Sequence, residues 1–133
     1  MSLDIVYYSN RSGNTKRFAE KLGIPNTYGV YDLPAATRPY VLLVPTYGAG
    51  NDGYSVPQPV KTFLSLKSNR DNLVAVIGFG NTNFGSAFCK AADIIAEKLG
   101  VPLLGRVELF GTPEDVSEIQ ERLRKLNDKL QLP

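Results

Sequence analysis

Apolar, β-rich runs alternate along this chain with segments of helical periodicity, and this alternation constrains the fold more than any other feature. It is typical of α/β proteins with a parallel sheet. The uniformly apolar run at residues 41–44 favours a strand that helices cover on both faces. We therefore expect strands at about residues 3–8, 27–31, 40–45, 73–79 and 103–110.

Four helices are expected from apolar residues that recur at helical spacing. The first begins after Gly13 and ends at Gly23, and the third spans residues 84–99. The fourth has the clearest start, because Thr112 is a good N-cap and Pro113 and two acids follow it. The residues expected to face inward are Phe18, Ala19 and Leu22 in the first helix, Val60, Phe63 and Leu64 in the second, Phe84, Ala87, Phe88, Ala91, Ala92, Ile95 and Leu99 in the third, and Val116, Ile119, Leu123, Leu126 and Leu130 in the fourth.

The connection between the second and third strands is too short for a crossover helix. It comprises residues 32–39 and contains Pro34 and Pro39, so we expect an irregular segment there. Right-handed crossovers still allow a doubly wound, five-stranded sheet of order 2-1-3-4-5. Ligands of such sheets bind beyond the carboxyl ends of the strands, where the winding reverses beside strand 1. The loops after strands 1, 3 and 4 are therefore the candidate site.

Composition excludes several other classes of protein. A chain of 133 residues with 43% hydrophobic content can bury one substantial core, so we expect one domain. A net charge of +2 is far below that of domains that bind nucleic acid. The single cysteine, Cys89, and the absence of histidine exclude an internal disulfide, a zinc cluster and a His-based triad. No signal-like or membrane-spanning apolar run is present in the sequence, so we expect a soluble, cytoplasmic protein with neither a metal nor a membrane partner.

The loop after the first strand has the composition of a phosphate site. Its hydroxyl and amide side chains surround Gly13, which lets the backbone turn its N–H groups toward an anion at the start of a helix. The spacing of a nucleotide-hydrolase P-loop is absent. Arg11 either pairs with the phosphate or faces solvent, and an ordinary capped turn is the alternative for the whole loop. The loop residues are Ser9, Asn10, Arg11, Ser12, Gly13, Asn14 and Thr15.

Two further loops meet the same predicted edge of the sheet. The loop after strand 3 has three glycines, which permit the peptide reorientation that a flavin site uses, although a flexible hairpin explains them equally well. The loop after strand 4 offers amide donors to a pyrimidine edge, or it simply caps a helix through Asn83 with Phe84 in the core. Tyr47, Phe84 and other aromatics compete as ring-stacking residues. Cys89 is expected to be a small core residue within the third helix rather than a redox thiol.

Four motifs in this order resemble the NrdI family of the flavodoxin superfamily. They are residues 9–15, Val44-Pro45-Thr46-Tyr47-Gly48, Gly80-Asn81-Thr82-Asn83-Phe84-Gly85 with Phe88-Cys89, and Val101-Pro102 leading to Glu108-Leu109-Phe110-Gly111-Thr112. The resemblance implies one flavodoxin-like, FMN-binding domain over residues 1–133. The residues that it implies for FMN binding are Ser9, Asn10, Arg11, Ser12, Gly13, Asn14, Thr15, Thr46, Tyr47, Gly48, Ala49, Gly80, Asn81, Asn83, Phe84 and Gly85.

The same resemblance implies a role as an accessory protein of class Ib ribonucleotide reductase. By this likeness, reduced FMN reacts with O2, and the oxidant passes to the reductase small subunit, whose dimanganese site then forms a tyrosyl radical. The chain would act as an activase rather than as a stand-alone enzyme, and an unidentified donor would reduce its flavin. The alternatives are a short-chain flavodoxin that carries single electrons and a response-regulator-like module. The module fits poorly, since strand 1 ends at Ser9 and strand 3 at Thr46, with no aspartate where phosphorylation needs one.

Charge near the flavin bears on the choice between the two flavodoxin-like roles. Asp52 is the only acid in the loops that would flank the ring. At about 4 Å and an effective dielectric constant near 20, each unit charge removed is worth about 4 kcal/mol before screening. We therefore expect the reduced flavin to be less disfavoured than in electron carriers with acidic flavin sites.

Overall fold

The computed structural model describes residues 2–46, 56–82 and 88–133. Within these ranges the strands are β1 (Asp4–Tyr7), β2 (Thr27–Gly29), β3 (Tyr40–Pro45), β4 (Leu73–Gly80) and β5 (Leu103–Glu108). The helices are α1 (Asn14–Lys21), α2 (Gln58–Phe63), α3 (Lys67–Asp71), α4 (Lys90–Leu99) and α5 (Pro113–Lys129). All strand pairs are parallel, and the sheet order β2-β1-β3-β4-β5 confirms the predicted doubly wound topology.

Each face of the sheet has its own apolar core. On one face, Ile5, Leu43 and Ile77 pack with Phe18 of α1 and Leu123 of α5. On the other face, strand residues such as Val6, Leu42 and Val76 pack against the helices α2 and α4. The central strand β3 is buried along its whole length, which explains its uninterrupted apolar run. Among the residues that the structure describes, no helix is both long enough and apolar enough to cross a membrane.

The connection from β2 to β3 is irregular, as predicted, and a buried asparagine holds it. Asn69 is fully buried, and its Oδ1 accepts a hydrogen bond from the Ala36 N–H at 2.6 Å. Its Nδ2 donates to the Phe63 carbonyl at 2.7 Å, and its own carbonyl accepts from the Tyr40 hydroxyl. Asn69 lies in α3, a short helix that the periodicity did not predict. Backbone groups that do not pair with a strand need other hydrogen-bond partners, and here the Asn69 side-chain amide supplies them.

The third predicted helix begins later than expected. Residues 84–87 lie outside the described residues, Phe88 is in a turn, and α4 starts only at Lys90. Cys89 is therefore the N-cap, with a left-handed φ of 58°, and the prediction that it lies within the helix is wrong. Its assignment to the core is confirmed, because it is fully buried. The helix α4 starts late because Cys89, in the turn before it, lies very close to the sheet. A Cβ on Gly78 would lie 2.9 Å from the Cβ of Cys89.

Strand and helix ends depart from the predictions in a few other places. The fifth strand was expected to reach residue 110, but β5 ends at Glu108 because Leu109 adopts a left-handed φ of 55° and leaves the ladder. The strands β1 and β2 are also shorter than the predicted ranges 3–8 and 27–31. Leu130 was expected to face inward, yet it caps the end of α5 and is 39% exposed.

Candidate functional site

The carboxyl ends of β1, β3 and β4 meet at one edge of the sheet and enclose a cavity of about 280 Å³. This is the position where a doubly wound sheet reverses its winding and leaves room for a ligand. Most of the cavity lining had been predicted from the three loops. The lining residues are Asn10, Ser12, Asn14, Thr15, Pro45, Thr46, Phe79, Gly80, Asn81 and Leu109.

The loop between β1 and α1 is held by hydrogen bonds of its own. The Asn10 side-chain Oδ1 accepts from the Ser12 N–H at 3.2 Å and from the Ser12 hydroxyl at 2.6 Å. The Asn10 carbonyl accepts from the Gly13 N–H at 3.0 Å, and the Ser9 Oγ accepts from the Lys16 N–H at 3.2 Å. Gly13 has a φ of 71° and a Cβ would meet nothing within 4 Å, so backbone conformation alone favours glycine there. The loop thus has a defined shape at the start of α1.

Thr15 gives the loop the character of an anion site. It is 2% exposed, lines the cavity, and lies in the first turn of α1, where we find no acceptor for its N–H among the described residues. A buried N–H without an acceptor is costly, and the positive end of a helix favours a negative charge. The first turn of α1 contains no acid that would already fill this role. These features fit a phosphate group.

Arg11 is exposed and lines a shallow, open depression beside the loop, together with Tyr8 and Ser9. It forms no ion pair with any residue in the described parts of the chain. This depression shares Asn10 and Ser12 with the cavity, so Arg11 lies on the same loop as the cavity lining.

Thr46, at the end of β3, joins the cavity to α4. Its N–H donates to the Phe79 carbonyl at 3.1 Å, and its Oγ1 accepts from the Ala91 N–H at 2.9 Å. The hydroxyl thereby caps the first turn of α4, a structural role that the sequence did not indicate. Several predicted site residues lie outside the described residues, as does Asp52; they are Tyr47, Gly48, Ala49, Asn83, Phe84 and Gly85.

Gly80 lies at the end of β4 beside the cavity, and close packing explains why this position is a glycine. A Cβ there would lie 3.0 Å from the Cys89 backbone nitrogen and 3.2 Å from the Phe88 ring. Glycine therefore allows the turn before α4 to close over the sheet edge. Asn81 follows it and lines the cavity.

Two residues at the end of β5 belong to this edge, although the predicted set of binding residues did not include them. The Glu108 carboxylate accepts hydrogen bonds from the Thr82 N–H at 3.1 Å and from the Thr82 hydroxyl, and these bonds lower the pKa of Glu108. Leu109 lines the cavity, and its N–H donates to the Gly80 carbonyl at 2.9 Å. Glu108 thus adds an acid on β5 beside these loops, in addition to Asp52, the one acid predicted within them. Neither the Thr82–Glu108 contact nor the Gly80–Leu109 contact is visible in the sequence, because their partners lie 26 and 29 positions apart.

Cys89 lies behind the cavity, and its thiol has low reactivity. Burial raises the pKa of its thiol to about 12, against a smaller lowering by a hydrogen bond with the Val107 backbone. A thiol is a nucleophile only as its thiolate, so Cys89 is unreactive near neutral pH.

A doubly wound parallel sheet with a phosphate-type loop after β1 and a cavity at the switch point defines a flavodoxin-like α/β protein. Residues 6–121 match the family model described as NrdI Flavodoxin like. The chain is 50% identical over 121 residues to Protein NrdI of Chromohalobacter salexigens, covering 88% of this chain and 90% of the relative. It is 47% identical over 128 residues to Protein NrdI of Brucella ovis, covering 94% of both chains. This chain therefore belongs to the NrdI flavodoxin-like family.

Solved structures show the same fold at low sequence identity. A flavodoxin of Streptococcus pneumoniae TIGR4 matches with a TM-score of 0.68 and 23% identity over 96% of this chain and 98% of its own. Oxidised Flavodoxin 1 from Bacillus cereus matches with a TM-score of 0.63 and 20% identity over 92% of this chain and 97% of its own. The fold and the family together imply a flavin cofactor.

Proposed function

We propose that this chain is an FMN-dependent redox accessory protein of class Ib ribonucleotide reductase. In this role it supplies oxidant, formed from reduced flavin and O2, for assembly of the dimanganese-tyrosyl radical of the reductase small subunit. The observation that carries the FMN assignment is the N–H of the buried Thr15, which has no acceptor among the residues that the structure describes and lies at a helix N-terminus beside the cavity. Family membership supports the link to the reductase.

In this proposal the loop between β1 and α1 holds the FMN phosphate. Thr15 and Ser12 offer hydroxyls, Asn14 offers an amide, and Arg11 offers a cation at the rim. FMN ends in a single phosphate, and one helix N-terminus beside one short loop suits that group. The ring would lie among the ends of β3, β4 and β5, so the remaining members of the binding set are Thr46, Tyr47, Gly48, Ala49, Gly80, Asn81, Asn83, Phe84 and Gly85.

The protein's own contribution is to position and shield the cofactor. The bound flavin supplies two-electron chemistry toward O2, which the twenty standard side chains do not offer. The Thr46 hydroxyl fixes α4 against the cavity, and Glu108 fixes the start of the loop after β4 through Thr82. Leu109 adds an apolar wall. Fixed polar donors and an apolar wall are what a pre-formed small-molecule site requires.

The cofactor assignment is tested by the absorption spectrum of the purified protein and by chromatography of the flavin that it releases. Bound FMN, rather than FAD, is expected. Thr15→Val should weaken FMN binding by about tenfold, because it removes one hydrogen bond to a charged group. Thr62→Val, at an exposed position of α2, is the matched control and should leave the affinity unchanged. A colourless protein that takes up no FMN would overturn the assignment.

The role in the reductase is tested with the manganese-loaded small subunit encoded by the same genome. Adding the reduced protein and O2 should generate a tyrosyl radical signal in electron paramagnetic resonance. A general one-electron carrier would instead reduce partner proteins and give no radical. FMN binding without radical formation would therefore retain the cofactor and overturn the proposed role.

A further inference from the structure

The helix α1 and the loop before it are unusually basic for a chain of this charge. Residues 9–21 contain the cations Arg11, Lys16, Arg17 and Lys21 but only one acid, Glu20. Arg11, Lys16 and Arg17 are exposed and form no ion pair with residues that the structure describes. The helix α5 provides a contrast, since Arg122 pairs with Glu118 and Arg124 pairs with Glu121. The cations of α1 thus present a local positive field beside the candidate flavin cavity.

Exposed apolar side chains adjoin these cations. Phe110 is 45% exposed, and the Lys21 Nζ lies 5.0 Å from the centre of its ring, within the range of a cation–π contact. Leu109 is 43% exposed and also lines the cavity. Arg17 precedes Lys21 by four residues and so lies on the same face of α1. Arg17, Lys21, Phe110 and Leu109 therefore form one continuous strip that runs from α1 to the mouth of the cavity; we call it the basic-apolar strip.

The turn that exposes the two apolar residues is fixed rather than loose. The Leu109 N–H donates to the Gly80 carbonyl, and the Gly111 N–H donates to the Glu108 carbonyl, both at 2.9 Å. Gly111 packs so closely on Phe18 that a Cβ there would lie 2.8 Å from its ring. The left-handed φ of 55° at Leu109 is unfavourable for a residue with a side chain. The fold accepts this cost while leaving a leucine and a phenylalanine in solvent, which is typical of a binding surface.

We propose that the basic-apolar strip is the surface on which a protein partner docks beside the cavity. The chemistry of the strip fits a partner surface that has carboxylates around an apolar pocket: the pocket would receive Phe110, and the carboxylates would pair with Arg17 and Lys21. This inference rests on the function proposed above, by which the partner is the radical-forming reductase subunit. Nucleic acid fits less well, because a large part of the strip is apolar and the basic charge is small.

The experiment measures the affinity of the FMN-loaded protein for the manganese-loaded small subunit, by titration calorimetry at about 50 mM and 300 mM NaCl. The double variant Arg17→Glu with Lys21→Glu should weaken binding by at least about tenfold at low salt, and the loss should shrink at high salt as the charges are screened. Phe110→Ala should weaken binding about fivefold or more at both salt concentrations, because its contribution is apolar.

Lys125→Glu is the matched control. Lys125 is exposed on α5 in the half of the helix that points to the opposite edge of the sheet, and its reversal should leave the affinity unchanged. FMN affinity and thermal stability, measured for every variant, show that the fold and the cofactor site persist. Equal binding by the wild type and the strip variants would overturn the docking surface alone.

Two other results would also count against the strip. If the wild type forms no complex with the small subunit, the proposed function is itself overturned, and the docking surface with it. If the wild type binds duplex DNA and the charge reversal abolishes that binding while leaving the subunit affinity intact, the strip is a nucleic-acid surface and the proposal is wrong.

Discussion

The two edges of the sheet use left-handed backbone in different ways. At the amino edge, Gly23 and Gly100 follow the ends of α1 and α4 with φ near 70°, and a Cβ on either would meet nothing within 4 Å. At the carboxyl edge, the left-handed residues include Cys89 and Leu109, and Gly111 packs directly on a phenylalanine ring. Helix C-termini ordinarily end on a left-handed glycine, so the amino edge needs no further explanation. At the carboxyl edge the left-handed side chains Cys89 and Leu109 lie in the turns that border the cavity, whereas Gln131 at the amino edge simply follows the end of α5.

This difference indicates which edge the sequence shapes for a ligand. The amino edge is closed by local contacts, such as the Arg38 Nη2 that donates to the Ser2 carbonyl at 2.5 Å and lies 3.3 Å from the Asp4 carboxylate. The carboxyl edge keeps a cavity, a buried N–H without a described acceptor, and exposed apolar residues. Ser2 Oγ and Asp4 Oδ1 at the amino edge are also buried without a hydrogen bond to any described residue, so the cavity and the exposed apolar side chains, rather than unpaired groups, set the carboxyl edge apart. The variants below test whether the two edges differ in this way.

The largest expected effect is the protection of the Cys89 thiol from chemical labelling. The pKa of about 12 leaves roughly a thousandfold less thiolate at pH 8 than an ordinary cysteine has, and the side chain is fully buried. Labelling by a disulfide reagent at pH 8 should therefore be at least about a thousandfold slower in the native protein than in denaturant. Cys89→Ala gives the background of the assay. Rapid, stoichiometric labelling of the native protein would show that this part of the carboxyl edge opens readily.

The next effect compares one left-handed glycine at each edge. Gly111→Ala combines a φ of 76° with a Cβ 2.8 Å from the Phe18 ring, and should lower the free energy of unfolding by about 3 kcal/mol. Gly100→Ala has a φ of 66° and open space, so it should lower that free energy by only about 1 kcal/mol. Urea unfolding followed by circular dichroism measures both. Equal losses would show that packing adds nothing at the carboxyl edge.

The same contrast explains how far the sequence could predict the molecule. Strand order, the two-sided cover of β3 and the N-cap of α5 at Thr112 follow from local patterns, and the structure has them. The start of α4 could not be predicted, because it depends on how closely Cys89 approaches Gly78 across the sheet. Glu108 could not be assigned to the site for the same reason, since its partner Thr82 lies on another strand's loop.

At Leu109, substitution by glycine should cost less stability than substitution by alanine, which is the opposite of the order expected at an ordinary exposed leucine. Leu109→Gly should be more stable than Leu109→Ala by about 1 kcal/mol, because glycine removes the cost of a φ of 55°. Leu130 is a matched control: it is 39% exposed with a right-handed φ of −81°, and there glycine should be less stable than alanine. Urea unfolding of the four variants in the absence of flavin measures the difference. The same order at both positions would remove the argument that Leu109 is strained.

The smallest effect is expected from Glu108 at the carboxyl edge. Hydrogen bonds from the Thr82 hydroxyl and N–H lower the pKa of Glu108, so the folded state favours its carboxylate. The stabilisation is therefore present above the ordinary glutamate pKa of about 4.3 and is lost as the pH falls through the lower pKa of the folded state. Because the side chain is exposed, we expect Glu108→Gln to lower the melting temperature at pH 7 by less than about 2 °C.

That small difference has a signature that a general charge effect lacks. It should disappear when wild type and Glu108→Gln are compared at a pH well below 4, and it should shrink in a Thr82→Val background, where the hydroxyl donor is absent. Glu97→Gln, at an exposed position of α4, controls for the loss of one negative charge and should show neither behaviour. Calorimetric melting of these variants at two pH values decides the matter. A Glu108 effect that persists at low pH would mean that the carboxylate does not hold the loop after β4, and the cavity would then owe its shape at that end to Gly80 and Leu109 alone.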